Sequence, residues 1–137
     1  MQRYLPLIGR ILLGLLFVMS GVNKITGFEG TQQYMASYGM PMTAVLLVGA
    51  ILVEVLGGLS VIVGVLPRLG AASLVLFLIP ATLIFHTNFA EQTQVIMFLK
   101  NLSIMGGLLL ILAYGSGPLS LYDPTAADGS EVAGTRP

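Results

Sequence analysis

Six side chains carry most of the chemistry available inside the apolar stretches of this sequence: Arg10, Lys24, Glu54, His86, Lys100 and Asn101. Glu54 stands apart, as the sole charged residue in the run from Thr43 to Leu66, TAVLLVGAILVEVLGGLSVIVGVL. As a helix rising about 1.5 Å per residue, this run is roughly 36 Å long and crosses a hydrocarbon core of about 30 Å with some tilt. Glu54 then lies near the bilayer midplane, where an ionised side chain requires a cation, a proton or water. A carboxylate so placed suits proton handling, and Glu54 is the first candidate for that role. His86 is the second, because an imidazole changes charge near neutral pH. Lys24, Lys100, Asn101 and Arg10 are candidate ligand-binding residues, since each supplies hydrogen-bond donors at membrane depth.

The composition bounds what these residues can do. Hydrophobic residues make up 55% of the 137 and charged residues only 9%, against about 25% charged in an average soluble domain. This is the composition of an integral membrane protein with the lipid bilayer as its solvent. Net charge is zero and the basic residues are scattered, so the electrostatic footprint of a nucleic-acid binder is missing. There is no cysteine, which removes disulfide exchange and thiolate-held clusters or zinc from this chain's repertoire. With a single histidine, no metal site built from this subunit alone is expected, although symmetry could bring two copies of His86 together.

Four apolar segments must position these groups: about 5–25, 43–66, 69–87 and 95–114. Backbone amides in lipid need internal partners and the period-two alternation of a barrel is lacking, so each segment is read as a helix. The N-terminal one has the basic start of a signal peptide, but Arg10 interrupts it and no small-x-small site precedes Asn23; it is read as a retained span. Short connections such as Pro67-Arg68 force antiparallel neighbours, giving an all-α, antiparallel four-helix bundle over residues 1–122. Arg3, Arg10 and Arg68 fall on the side of the termini against Lys24 and Lys100 on the other, which predicts cytoplasmic termini. Residues 123–137 are polar and read as a disordered tail.

Between the first two spans, residues 31–38 are predicted to form a short helix carrying Tyr34 and Tyr38, either an anchor at the membrane surface or a lid. Arg10, Gly14, Phe17, Gly21 and Lys24 step by four and three along one stripe of the first span, which should face inward. Gly14 and Gly21 on that stripe are expected to be packing residues. Pro80 removes a backbone bond from the third span and is expected to bend it. With the spans compared level, Lys24, His86, Lys100 and Asn101 fall in the outer half, Glu54 at the centre and Arg10 in the inner half. That predicts a pocket open outward and floored by Glu54. Lys100 is the first choice of partner for Glu54, at an axial offset of about 7 Å. Arg10, about as far on the other side, remains its rival.

The ordered set RILLGLLFVMSGVNKITGF, YMASYGMP, GAILVEVLGGLSVIVGVLPRLGA, ATLIFH, FLKNLSIMGGLLLIL and GPLSL resembles the DoxX family of small bacterial four-helix membrane proteins. The resemblance runs from about Arg10 to Leu121. It implies a plasma-membrane protein, located in the inner membrane of Gram-negative bacteria. It also implies a link to membrane oxidoreductases, because the family is named after small subunits of a thiosulfate:quinone oxidoreductase. Three functions stay open at this point. The first is an accessory subunit of a quinone-linked oxidoreductase, without intrinsic cofactor but with quinone as the electron carrier. The second is a non-catalytic partner, assembly factor or chaperone, acting with a protein partner or as a homo-oligomer. The third is a carrier for a small anion or a lipid.

Overall fold

Helices here stop where the backbone chemistry ends them. In the computed structural model, which describes residues 2–122, five helices follow one another: α1 (Leu5–Thr26), α2 (Phe28–Ser37), α3 (Thr43–Val63), α4 (Pro67–Phe85) and α5 (Gln92–Tyr114). Gly64 stops α3 by turning left-handed at φ 73°, two residues before the expected end of the span. A side chain there is also sterically excluded, because a Cβ would stand 2.8 Å from Ser120 Cα. Pro67 opens α4 at a position whose amide would have no partner anyway, so that helix starts two residues earlier than expected. It then passes through Pro80 as one continuous element to Phe85. The short helix α2 begins directly after Gly27 rather than at residue 31.

Four of these helices, α1, α3, α4 and α5, are long and apolar enough to cross a membrane. The expectation of an all-helical membrane bundle holds, and four crossings bring the end of α5 back to the end of the bundle where α1 begins. In space α1 lies on α3, α3 on α4 and α4 on α5, while α1 and α5 touch only slightly. Phe17, Val61, Ala71, Leu74, Leu78 and Leu108 form the buried core. Large side chains such as Leu12, Leu56, Leu76 and Leu110 point outward, as the lipid solvent allows. The proposed tail, 123–137, lies outside the described residues.

Because lipid tails are as apolar as leucine, the helices gain little from hydrophobic burial and must be held by close packing. Glycines provide it between α1 and α3. A Cβ on Gly14 would stand 2.5 Å from the Gly58 carbonyl oxygen, and one on Gly58 would stand 2.8 Å from that of Gly14. The two backbones therefore touch, with Gly21 fitted against Val55 two turns further along α1. A second glycine seam joins α3 to α4, where a Cβ on Gly70 would lie 3.1 Å from the Gly57 carbonyl oxygen.

The end that carries the termini is closed by the chain itself. After α5 the backbone returns across the α3–α4 turn: the Leu121 amide donates to Val63 (3.1 Å), the Tyr122 amide to Gly64 (3.0 Å), and the Leu66 amide to Tyr122 (2.9 Å). Arg10, only 2% exposed, donates from Nη2 to the Leu119 carbonyl at 2.8 Å and ties this strap to α1.

The α1–α3 contact makes a differential prediction. Gly14→Ala should destabilise the protein by about 1–3 kcal/mol, since the helices must part to admit the methyl group. Gly9→Ala, with nothing within 4 Å of its Cβ, should be neutral or gain slightly from helix propensity. Thermal unfolding of both variants in detergent micelles checks this.

Candidate functional site

Arg10, Gly14, Phe17 and Gly21 are all buried on one face of α1, and Lys24 continues that stripe by one more step. Its ammonium meets Glu54 of α3, with Nζ 2.9 Å from Oε1 and 3.1 Å from Oε2. Ser20, one turn back on α1, accepts a third bond from Nζ at 2.8 Å. Glu54 is 2% exposed, whereas the Lys24 side chain is 26% exposed. The carboxylate is thus shut inside the protein and its lysine forms the accessible side of the pair.

This corrects the expected pairing, because neither Lys100 nor Arg10 is the partner of Glu54. The cause is a stagger. Glu54 sits about 16 Å from the start of α3 by helical rise, yet Lys24 is within the last turn of α1. The contacts of Gly14 with Gly58 and of Gly21 with Val55 place the end of α1 beside the middle of α3. Comparing spans with level ends misses this. The first turns of α3 extend past α1, and α2 packs against α3 there.

The other predicted residues are distributed rather than gathered. Arg10 belongs to the strap at the terminal end. Lys100 is exposed on α5. Asn101 Nδ2 donates to Thr82 Oγ1 at 3.0 Å, a bond between α5 and α4 in which Thr82 is 2% exposed. His86, half-buried at the end of α4, has Nδ1 3.0 Å from Gln94 Oε1 on the first turn of α5. The expected single pocket is therefore divided: an ion pair joins α1 to α3, and two side-chain hydrogen bonds join α4 to α5.

Beside the ion pair lies an open cavity of about 400 Å³, lined by Leu16, Met19, Ser20, Asn23 and Lys24 of α1 and by Thr31 of α2. Of these, only Lys24 was a candidate from sequence. Ser20 and Asn23 were legible in principle, since four- and three-residue steps connect Leu16, Ser20 and Asn23 along the flank of the buried stripe. Thr31 required the position of α2. That helix is fastened over the end of the bundle by aromatic contacts: Tyr34 stacks on Phe85 at 5.4 Å and Tyr38 meets the same ring edge-on at 4.9 Å. The two phenols share a hydrogen bond of 3.2 Å. That bond, with burial and the charge of Tyr38 as smaller causes, raises the pKa of Tyr34 above the ordinary tyrosine value. The Tyr34 phenol consequently stays neutral well beyond neutral pH.

Among the described residues no group of three or more histidine, cysteine or acidic side chains converges as a metal site. The chemistry on offer at the ion pair is that of hydrogen bonds and protons. A family model described as DoxX matches residues 5–87, which include both members of the pair. The chain belongs to the DoxX family. It is similar to "Inner membrane protein YqjF" of Escherichia coli (strain K12), 44% identical over 115 residues that cover 84% of this chain and 87% of that protein. "Inner membrane protein YphA" of the same organism is 36% identical over 122 residues, 85% and 87% of the two chains. "Putative oxidoreductase CatD" of Bacillus subtilis (strain 168) is 35% identical over 72 residues, 53% of this chain and 52% of that one. No solved structure matches. With four spanning helices and such relatives, this DoxX protein is a multi-pass protein of the inner membrane.

Removing one member of the pair should cost far more than removing an exposed charge. Lys24→Met leaves the buried Glu54 carboxylate uncompensated and should destabilise the protein by about 3–5 kcal/mol, while the double variant Lys24→Met, Glu54→Leu recovers most of the loss. Lys100→Met should change stability by less than about 0.5 kcal/mol. Unfolding of the three variants in the same detergent, followed by circular dichroism, separates these outcomes.

Proposed function

We propose that this protein is an accessory membrane subunit of a quinone-linked oxidoreductase, with the Lys24–Glu54 pair as its working centre. The observation that carries the reading is a carboxylate 2% exposed inside a span, paired with a lysine that remains 26% exposed. Desolvating such a pair costs about as much as its attraction returns, so bundle stability alone is a weak reason for it. An ionisable group at membrane depth more often marks a ligand or proton pathway. The sequence has no cysteine and one histidine, so this chain alone does not ligate an iron–sulfur cluster or a bis-histidine haem, and in this reading a quinone or a partner protein carries the electrons. The name of the Bacillus subtilis relative, "Putative oxidoreductase CatD", points the same way.

A quinone supplies two-electron redox chemistry when bound; the chain's own residues bind, orient and move protons. Lys24 holds Glu54 in one position and is the member of the pair that faces the cavity. Glu54 is the candidate proton carrier. His86, at the same end of the bundle and bonded to Gln94, is the candidate for exchanging protons with the aqueous side. Lys100 and Asn101 lie on α5, with Asn101 bonded to Thr82, and serve the α4–α5 side of the same end. In this reading the ion pair lies toward the outer leaflet, which the three arginines Arg3, Arg10 and Arg68 toward the other end support, as the cytoplasmic side of a span is the richer in basic residues.

A second reading is a non-catalytic partner or assembly factor. It is favoured by one observation: the ion pair and the Asn101–Thr82 bond each bridge neighbouring helices, as expected of groups that set helix register.

Glu54→Gln separates the two readings, because it preserves shape and removes the charge. Turnover of quinone by the protein co-purified with its partners should fall about 100-fold with the complex intact. Unchanged turnover overturns the oxidoreductase reading. Loss of the complex itself transfers support to the assembly factor.

A further inference from the structure

We infer that the cavity between α1 and α2 is a lateral binding site for an uncharged amphiphile whose head group carries carbonyl oxygens and which enters from the lipid. This deepens the quinone reading above and rests on it for the identity of the ligand, though not for the location of the site.

The lining is graded along α1. Leu16 and Met19, 41% and 50% exposed, form its apolar part on the side toward the membrane interior. Ser20, Asn23 and Lys24, with Thr31 of α2 opposite, form its polar part toward the end of the helix. Steps of three and four place all five α1 residues on one face. That face is open, so the site communicates with lipid along its length and not only with water at the bundle's end. An apolar tail fits along Leu16 and Met19 with its head group at Ser20, Asn23 and Lys24. The volume of about 400 Å³ lies in the usual range of about 300–1,000 Å³ for small-molecule sites.

The electrostatics select the head group. Lys24 is already matched by Glu54, so the pair is neutral as a unit. A phosphate drawn to the ammonium would also approach the carboxylate, and a cation drawn to the carboxylate would meet the ammonium. A neutral acceptor meets neither penalty. Two donors are placed to serve it. Ser20 Oγ accepts the Lys24 N–H, which leaves the Ser20 hydroxyl proton as a donor, strengthened by the charge behind it. The exposed Asn23 side chain offers two amide protons. Thr31 is oriented by its own bond to the Gly27 carbonyl at 2.8 Å, and so presents its methyl group and a lone pair. Ring carbonyls of a quinone and ester carbonyls of a diacylglycerol share the chemistry this set recognises.

Photolabelling of the full-length protein in phosphatidylcholine nanodiscs tests the site. Three probes carry the same tail diazirine: a short-chain benzoquinone, a diacylglycerol and a phosphatidylglycerol. The quinone probe is expected to label residues 16–31. Asn23→Leu and Ser20→Ala should each raise its half-saturating concentration about tenfold. Met19→Trp should abolish labelling by filling the apolar part, with Met19→Leu as the control that retains it. Because Met19 is exposed, both variants keep the fold, which circular dichroism verifies. Labelling of this segment by the diacylglycerol alone supports the site and overturns the quinone reading. Quinone labelling confined to other segments overturns the site and leaves the quinone reading standing. Labelling of residues 16–31 only by phosphatidylglycerol, or no labelling there, overturns the site.

Discussion

The direct backbone contact between Gly14 and Gly58 sets the rest of this bundle. Two helices in lipid have no hydrophobic reason to choose one register over another, because every sliding position offers leucine to leucine. Paired glycines supply a reason, since only one register lets both carbonyls reach their closest approach. Once Gly14 lies on Gly58, Gly21 falls against Val55 and Lys24 comes level with Glu54. At the other end of the same seam Arg10 arrives where it binds the Leu119 carbonyl. The charged contacts at both ends of α1 follow from a contact between residues with no side chains.

The same register leaves α1 too short to accompany α3 to its outer end, and that shortfall gives α2 its place. A ten-residue helix with little apolar character cannot span a bilayer. It can cover the exposed first turns of α3 and bury Met35 while its tyrosines reach Phe85 at the end of α4. The α2 helix thereby bridges elements that are distant in the order of packing. The cavity beside Lys24 is the space that remains where α2 leaves α1.

How much of this was legible in the sequence depends on the range over which each feature is determined. The spans and the inward stripe of α1 were legible, because periodicity and apolar length are local properties. The identity of Glu54 as a charge in need of a partner was legible for the same reason. The partner was not. Choosing Lys24 over Lys100 required the axial offset between α1 and α3, which is set by the glycine contact and appears nowhere in the hydropathy pattern. Asn101 was marked as a polar residue at membrane depth, but its partner Thr82 depends on the rotation of α4 against α5. The α3–α4 turn shifted by two residues because a left-handed glycine and an N-terminal proline act on single positions, below the resolution of an apolar run.

The polar bonds are distributed in a way that distinguishes their roles. Between α4 and α5 the bridging contacts involve no carboxylate: an amide to a hydroxyl, and an imidazole to an amide. Neutral pairs suffice to fix a register in the membrane, at a desolvation cost far below that of an ion pair. The seam between α1 and α3 already has its register from glycine, so a polar lock there is redundant as structure. Yet that is the seam where the described part of the chain has its full ion pair, with the carboxylate buried and the ammonium turned to a cavity. The costliest polar contact therefore sits where packing needs it least, and a structural role explains it less well than a role at the cavity.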